Sequence, residues 1–216
     1  MRARGYPLKQ INGKLLLFNS FLSKSSGFFW LWQQPVIRAL TFLLAAIIFV
    51  ASGNSLLVIL LAQSQHASPF VIGLIFTLVG LGGILGSLVA APIQKRFRFG
   101  HITMSACWGL VFCWSLYLVA HVPLVVGAVG AGLSIISIIF DVALLSYRLA
   151  LIPDELRGRV SSITSLLATC SRSVGLTVTG LLLQQLGTFP TIVFFLGCLF
   201  LAAVGATCST ALRRAN

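Results

Sequence analysis

Residues 63–98 read QSQHASPFVIGLIFTLVGLGGILGSLVAAPIQKRFR. The gap from Gln63 to Pro69 contains no lysine or arginine, and the run from Phe70 to Ile93 carries no charge. The basic residues Lys95, Arg96 and Arg98 follow directly. A helix crosses a hydrocarbon core of about 30 Å with about 20 predominantly apolar residues. This stretch therefore predicts a membrane-spanning helix between a gap without basic residues and a basic cluster.

The same pattern recurs along the chain, which has 216 residues, 58% of them hydrophobic and 8% charged. A soluble domain carries roughly a quarter charged residues, so this composition excludes one. Strands of a β-barrel would alternate apolar and polar residues, whereas these runs are apolar all round. The predicted fold is therefore an all-α integral membrane protein, a bundle of six transmembrane helices. The predicted spans are Leu40 to Ala62, Phe70 to Ile93, Ile102 to Ala120, Leu124 to Leu145, Val160 to Leu183 and Thr191 to Leu212.

Fourteen of the fifteen lysines and arginines lie in alternate gaps between these spans. Short loops rich in such residues stay in the cytoplasm, so we expect a multi-pass protein of the cell (plasma) membrane with both termini cytoplasmic. The formal charge of +12 does not indicate nucleic-acid binding, because it is spread over short clusters that suit anionic lipid headgroups. The basic gaps hold Arg2, Arg4, Lys9, Lys14, Lys24 and Arg38; Lys95, Arg96 and Arg98; Arg148, Arg157 and Arg159; and Arg213 and Arg214.

Four segments follow from this pattern: a cytoplasmic basic head at 1–24, an interfacial amphipathic lead-in at 25–38, the six-helix membrane domain at 39–212 and a cytoplasmic tail at 213–216. The lead-in contains the aromatic run from Phe28 to Trp32, and aromatic residues favour the headgroup layer. We therefore predict an interfacial helix from Ser25 to Gln34. A seventh span starting at Leu15 is the alternative, although Lys24 to Gly27 interrupts it.

Prolines mark four of the predicted helix starts. Pro69, Pro123 and Pro190 precede spans that follow the gaps without basic residues, and Pro153 precedes the fifth span. Proline is tolerated in the first helical turn, where its missing N–H is not needed.

Small residues in the second span predict a close helix crossing. Gly82 and Gly86 lie four residues apart, a spacing that lets two helix backbones approach each other in a membrane. Since glycine is common in membrane helices generally, only part of the glycine content needs this explanation.

Arg172 is the one basic residue that breaks the charge pattern. It lies thirteen residues past Arg159, which places it about 20 Å into the fifth span. An arginine at that depth costs at least about 2.5 kcal/mol in lipid, so it should face a polar cavity or a partner. Asp141 in the fourth span is the only acid within a span, about 9 Å away in depth by the same helical rise. We predict that Arg172 and Asp141 line a substrate or ion path, with Asn54 as a weaker candidate; satisfaction of the arginine by backbone carbonyls is the alternative.

The residues that usually carry catalysis or bind metals are scattered. We therefore expect no enzyme, no metal site and no cofactor. The five cysteines lie within the predicted spans without metal-ligand spacing, and we interpret them as small packing residues. The residues concerned are His66, His101 and His121, with Cys107, Cys113, Cys170, Cys198 and Cys208.

The segment Ile152 to Val160 reads IPDELRGRV and resembles the segment before the eleventh helix of major facilitator superfamily transporters, particularly drug, macrolide and siderophore exporters. Gly27 to Leu40 is similar to the lead-in to their seventh helix, and Gly73 to Arg98 to their eighth helix and the loop after it. The resemblance covers the chain from about residue 25 onward. It implies a C-terminal half of a twelve-helix fold. It also implies a cytoplasmic gate or latch formed by Lys95, Arg96, Arg157, Gly158 and Arg159.

One departure from the family pattern concerns that latch. The family places an acid before the basic pair that follows the second helix of a half, whereas this chain has Pro92-Ile-Gln94. A charge-relay form of the latch is therefore not expected here.

The function implied by the resemblance is secondary active export of small amphipathic compounds by alternating access, coupled to protons or another ion. The expected partners are the lipid bilayer, a small-molecule substrate, and an N-terminal six-helix half or a second copy of the chain. A half lacks the opposite wall of the path, so we expect a fragment of a longer transporter. The alternatives are a homodimeric half-transporter or pore, and a non-transporting scaffold that pairs with another half.

Overall fold

The computed structural model describes residues 35–151 and 154–208, and within them every regular element is an α-helix. This confirms the all-α fold. The predicted head, the interfacial helix, Pro153 and the tail lie outside the described residues. The helices are α1 (Pro35–Ser64), α2 (Pro69–Arg96), α3 (Phe99–Leu116), α4 (Pro123–Leu151), α5 (Asp154–Gln185) and α6 (Thr188–Cys208).

All six helices of the described residues are long and apolar enough to cross a membrane. The surface of the bundle fits a lipid environment, since large apolar side chains such as Phe70, Leu88, Phe112 and Leu201 are exposed on it. A soluble protein rarely exposes so much contiguous apolar area. The protein is therefore a multi-pass membrane protein.

The helix starts agree with the proline pattern. Pro69 is the first residue of α2, and the preceding Ser68 caps the helix by accepting a hydrogen bond from the Val71 N–H at 3.4 Å. Pro123 is the first residue of α4, and Pro190 is the third residue of α6. The proline ring thus lies in the first turn in all three cases, where no N–H is required.

Most predicted span ends differ from the structure by a few residues, and two of the differences concern the fold. Helix α3 ends at Leu116, four residues before the predicted end at Ala120, because the chain turns there: Leu118 donates to the Ser115 carbonyl and Val119 to the Leu116 carbonyl, both at 3.1 Å. Helix α1 begins at Pro35, so its first residues belong to the segment predicted as lead-in, although its membrane span starts at Leu40 as predicted.

The helix packing has an internal symmetry. The packed pairs are α1–α5, α2–α4, α3–α4, α1–α6, α3–α6, α1–α4, α2–α3 and α5–α6. If α1 is exchanged with α4, α2 with α5 and α3 with α6, this set of pairs maps onto itself. The two spans least covered by the rest of the bundle, α2 (17% buried) and α5 (11%), also exchange with each other. Consecutive spans cross in opposite directions, so the two three-helix units have inverted topology.

An aromatic cluster lies between α1, α3 and α6. The Phe195 ring on α6 lies 5.9 Å from the Trp114 ring on α3 and 5.8 Å from the Phe49 ring on α1. Phe195 is fully buried. The remaining helices, α2, α4 and α5, carry most of the candidate site residues.

Candidate functional site

The predicted glycines of α2 lie against α4. A methyl group added at Gly82 would meet the backbone of Ala131, 2.8 Å from its Cα, and one added at Gly86 would lie 3.0 Å from the Ile135 Cα. Both glycines are buried. The two helices therefore cross at a distance that only glycine permits on the α2 side.

A second close crossing, which the sequence analysis missed, joins α1 to α5. A methyl group added at Gly53 would collide with the Thr179 side chain, and one added at Gly175 with the Phe49 carbonyl and the Ser52 hydroxyl. The signal was available, because Gly175 and Thr179 are small residues four apart, as are Gly82 and Gly86. The internal symmetry relates this α1–α5 crossing to the α2–α4 crossing.

The outward surface of α5 is polar along most of its length. Four of its hydroxyls bond back to their own helix: Ser162 donates to the Gly158 carbonyl and Thr169 to the Ser165 carbonyl, both at 2.9 Å. Ser173 donates to the Thr169 carbonyl at 3.1 Å and Thr177 to the Ser173 carbonyl at 3.0 Å. We call this surface the α5 polar face. Its exposed members are Ser161, Ser162, Ser165, Thr169, Arg172, Ser173 and Thr177.

Arg172 lies in the middle of the α5 polar face. It is fifteen residues from Arg157 and thirteen from Gln185, the ends of the span, so it is about 20 Å from either end. Its side chain is exposed and makes no hydrogen bond or ion pair with the described residues. The predicted coupling to Asp141 is not a direct contact, because α4 and α5 are not a packed pair and no ion pair joins the two side chains within the described part of the chain.

Asp141 lies on a polar stripe of α4. Ser134, Ser137 and Asp141 are spaced three and four residues apart, which places them on one face of the helix. The Asp141 side chain is exposed, eight residues or about 12 Å from the end of the span at Leu149. Asp141 is thus separate from Arg172 but continuous with the two serines deeper in the bundle.

Asn54 points into a cavity between five of the helices. The cavity has a volume of about 270 Å³, and its wall includes Asn54 from α1, Ser134 and Ser137 from α4, and Trp114 from α3. The Asn54 Oδ1 atom is buried and accepts no hydrogen bond from the described residues. The Ser134–Ser137–Asp141 stripe therefore begins at this cavity.

The basic residues form one end of the bundle, which we call the basic side. Lys95 and Arg96 are exposed in the last turn of α2, and Arg157, Gly158 and Arg159 are exposed at the start of α5. A methyl group added at Gly158 would meet nothing within 4 Å, so tight packing does not explain this glycine.

Two hydrogen bonds connect α4 to α5 at the basic side. The Arg157 guanidinium donates to the Leu149 carbonyl at 2.8 Å, and the Arg148 guanidinium donates to the Thr164 hydroxyl at 2.6 Å. The Thr164 hydroxyl in turn donates to the Val160 carbonyl at 2.8 Å. From its position in the sequence, Arg148 is expected only as a charge in a basic gap. Its contact could not be read from the sequence, because it depends on the approach of two helix ends.

Comparison with known proteins gives no family. No protein-family model, no curated protein and no solved structure matches this chain. The fold and composition thus define a multi-pass membrane protein with six membrane-length helices in the described part of the chain.

Proposed function

We propose that this chain is one six-helix half of a secondary active transporter of the major facilitator type, which exports small amphipathic compounds. The observation that carries the proposal is the α5 polar face with Arg172 at its centre. An arginine facing lipid at that depth is unfavourable by at least about 2.5 kcal/mol, so a water-filled path or a partner helix must lie beside it.

The internal symmetry of the helix packing supports the same proposal. Each half of a major facilitator transporter contains two three-helix repeats of inverted topology, and the substrate path runs near the bilayer midplane between the halves. The exchange of α1–α3 with α4–α6 has the same form. The least covered spans, α2 and α5, are then the surfaces against which an opposite half would pack.

The basic side supplies the candidate gate. The contacts of Arg148 with Thr164 and of Arg157 with Leu149 are the hydrogen bonds described between α4 and α5. In alternating access one end of the path must open while the other closes, so these bonds are suited to hold the basic side closed. The basic side is the one that we expect to face the cytoplasm.

Ion coupling is assigned to Asp141. Arginine stays protonated under all physiological conditions, so Arg172 can attract an anionic group but cannot carry a proton through a cycle. Asp141 can, and its carboxyl is exposed on the α4 stripe. Proton exchange at Asp141 with charge stabilisation at Arg172 is the mechanism that we propose.

A homodimeric half-transporter is the second candidate. Away from the span ends, each copy exposes a basic side chain at Arg172 and an acidic one at Asp141, so the charges of two copies are opposite in sign at these positions. The difference in depth between Arg172 and Asp141 argues against a direct ion pair across such a dimer. An N-terminal six-helix half is therefore the preferred partner.

Cysteine accessibility tests the path directly. In a cysteine-free background, Ser165→Cys, Thr169→Cys and Ser173→Cys would be treated in native membranes with a charged, membrane-impermeant methanethiosulfonate. This reagent reacts with thiolates, which form only where water reaches the sulfur. We expect all three to be modified.

The matched controls are Val174→Cys and Leu181→Cys, two exposed positions on the apolar side of α5. Both should stay unmodified until the membrane is dissolved. Equal modification of the two sets, or no modification of the polar set, would contradict a water-filled path along α5.

A further inference from the structure

The cavity at Asn54 has unused hydrogen-bonding groups. Most described serines and threonines of the spans bond to a carbonyl of their own helix, as Ser52 does to Phe49 and Ser87 to Ile84, both at 2.7 Å. Ser134 and Ser137 make no such bond within the described residues. Together with the buried Asn54 Oδ1, they give the cavity wall two free hydroxyls and one free acceptor.

A fully buried tyrosine adds to this polar region. The Tyr117 hydroxyl is buried and lies beside the Asn54 side chain, with which it interacts. Its ring lies 5.7 Å from the ring of Trp114, which lines the cavity. Buried polar groups are nearly always satisfied in native proteins, so the free Asn54 Oδ1 beside two unbonded serine hydroxyls indicates that a molecule with a hydrogen-bonding group fills the cavity.

The chemistry of the wall restricts what that molecule can be. The remaining wall is apolar, with Leu110, Leu133 and Leu199 among its members, and no ionisable group of the described residues lines the cavity. A charged ligand would lose its hydration without gaining a counter-charge. The Asn54 Oδ1 atom can only accept a hydrogen bond, so a ligand that satisfies it must carry a hydroxyl or N–H donor.

The size of the cavity limits the ligand further. Its volume of about 270 Å³ is just below the range of about 300–1,000 Å³ that is usual for sites of drug-sized ligands. We propose that this cavity binds an uncharged compound, smaller than most drugs, with an apolar body and one hydroxyl or N–H donor directed at Asn54. The proposal that the cavity binds such a compound is independent of the proposed function. Only the further step, that the compound is a transported substrate, rests on the proposed function.

Gly83 allows the cavity to be blocked without disturbing the helix crossing. It lines the cavity, and a methyl group added there would meet nothing within 4 Å. A leucine at this position would extend into the empty space. Gly80 lies on the same helix, is equally open and does not line the cavity, so Gly80→Leu is the matched control.

The test is equilibrium dialysis of radiolabelled thymol against the full chain in lipid nanodiscs, with empty nanodiscs as the baseline. We expect saturable binding that falls by roughly tenfold or more in Gly83→Leu and is unchanged in Gly80→Leu. Para-cymene, which has the same apolar body without the hydroxyl, should compete roughly tenfold more weakly, the factor expected for one unsatisfied buried acceptor. In Asn54→Leu this preference should disappear. Cuminate, a carboxylate with the same ring system, should not compete.

Three results would overturn the inference: binding of thymol to Gly83→Leu equal to that of the parent, equal competition by para-cymene and thymol, or competition by cuminate. Circular dichroism and gel filtration of each variant establish that it is folded. The measurement needs no transport, so it can fail while the cysteine accessibility of α5 holds, and the reverse is equally possible.

Discussion

Replacement of Gly82 by alanine should weaken the α2–α4 crossing. The added Cβ would lie 2.8 Å from the Ala131 Cα and 2.9 Å from its carbonyl carbon, whereas carbon atoms in ordinary contact are about 3.5–4.0 Å apart. The obstacle is backbone, so no rotamer change relieves it, and the helices must separate locally by roughly 0.6–1.2 Å. Overpacking of this kind costs about 1–3 kcal/mol. We expect a decrease of that size in the free energy of unfolding.

The assay is titration of the purified protein with sodium dodecyl sulfate in mixed micelles, followed by circular dichroism. Gly80→Ala is the control, because it has the same gain in helix propensity on the same helix but no atom within 4 Å of the new methyl group. The difference between the two variants isolates the contact. If Gly82→Ala unfolds at the same detergent fraction as Gly80→Ala, the close crossing does not exist.

Three further predictions follow from the same structure. Gly175→Ala should destabilise the protein by about 1–3 kcal/mol in this titration and Gly180→Ala should not, because only the first added methyl would meet the backbone of α1. A phosphatase fused after Ser64 should be active outside the cell and one fused after Lys95 inactive; the opposite result would reverse the orientation. Arg172→Ala should lower ion-driven uptake of Nile red into everted vesicles by roughly tenfold, as expected for loss of one charged hydrogen-bonding group. The variant Arg172→Lys tests whether a positive charge alone is sufficient for uptake. Unchanged uptake in Arg172→Ala would show that Arg172 does not line the path.

Hydropathy predicts the spans of this protein well and their ends less well. The starts at prolines were correct because proline acts locally, through its own backbone. The end of α3 was wrong because residues 117–120, Tyr-Leu-Val-Ala, are as apolar as the helix before them. A turn at that place is fixed by contacts such as the hydrogen bond from Gln65 Nε2 to the Ala120 carbonyl at 2.8 Å, which joins residues far apart in the chain.

The candidate site could be predicted only in part, for a similar reason. Arg172 and Asp141 stand out in any apolar run, because charge in lipid is costly wherever it occurs. The cavity at Asn54 could not be predicted, since it forms where side chains of five helices meet and hydropathy does not encode which helices are neighbours. The same limit applies to the crossing of Gly53 with Thr179.

The internal symmetry also indicates which part of the bundle is specialised. Helices α2 and α5 exchange with each other, cross their neighbours at glycines and are the two least covered spans. Their outward surfaces nevertheless differ: α2 exposes Leu81, Ile84, Leu85 and Leu88, whereas α5 exposes a line of hydroxyls with Arg172 among them, beside apolar residues such as Val174 and Leu181. Packing alone would suit either surface, because the two helices have equivalent packing partners: α3 and α4 for α2, and α6 and α1 for α5. The needs of the fold therefore do not explain the polar surface of α5. This favours α5 over α2 as the helix that carries the function.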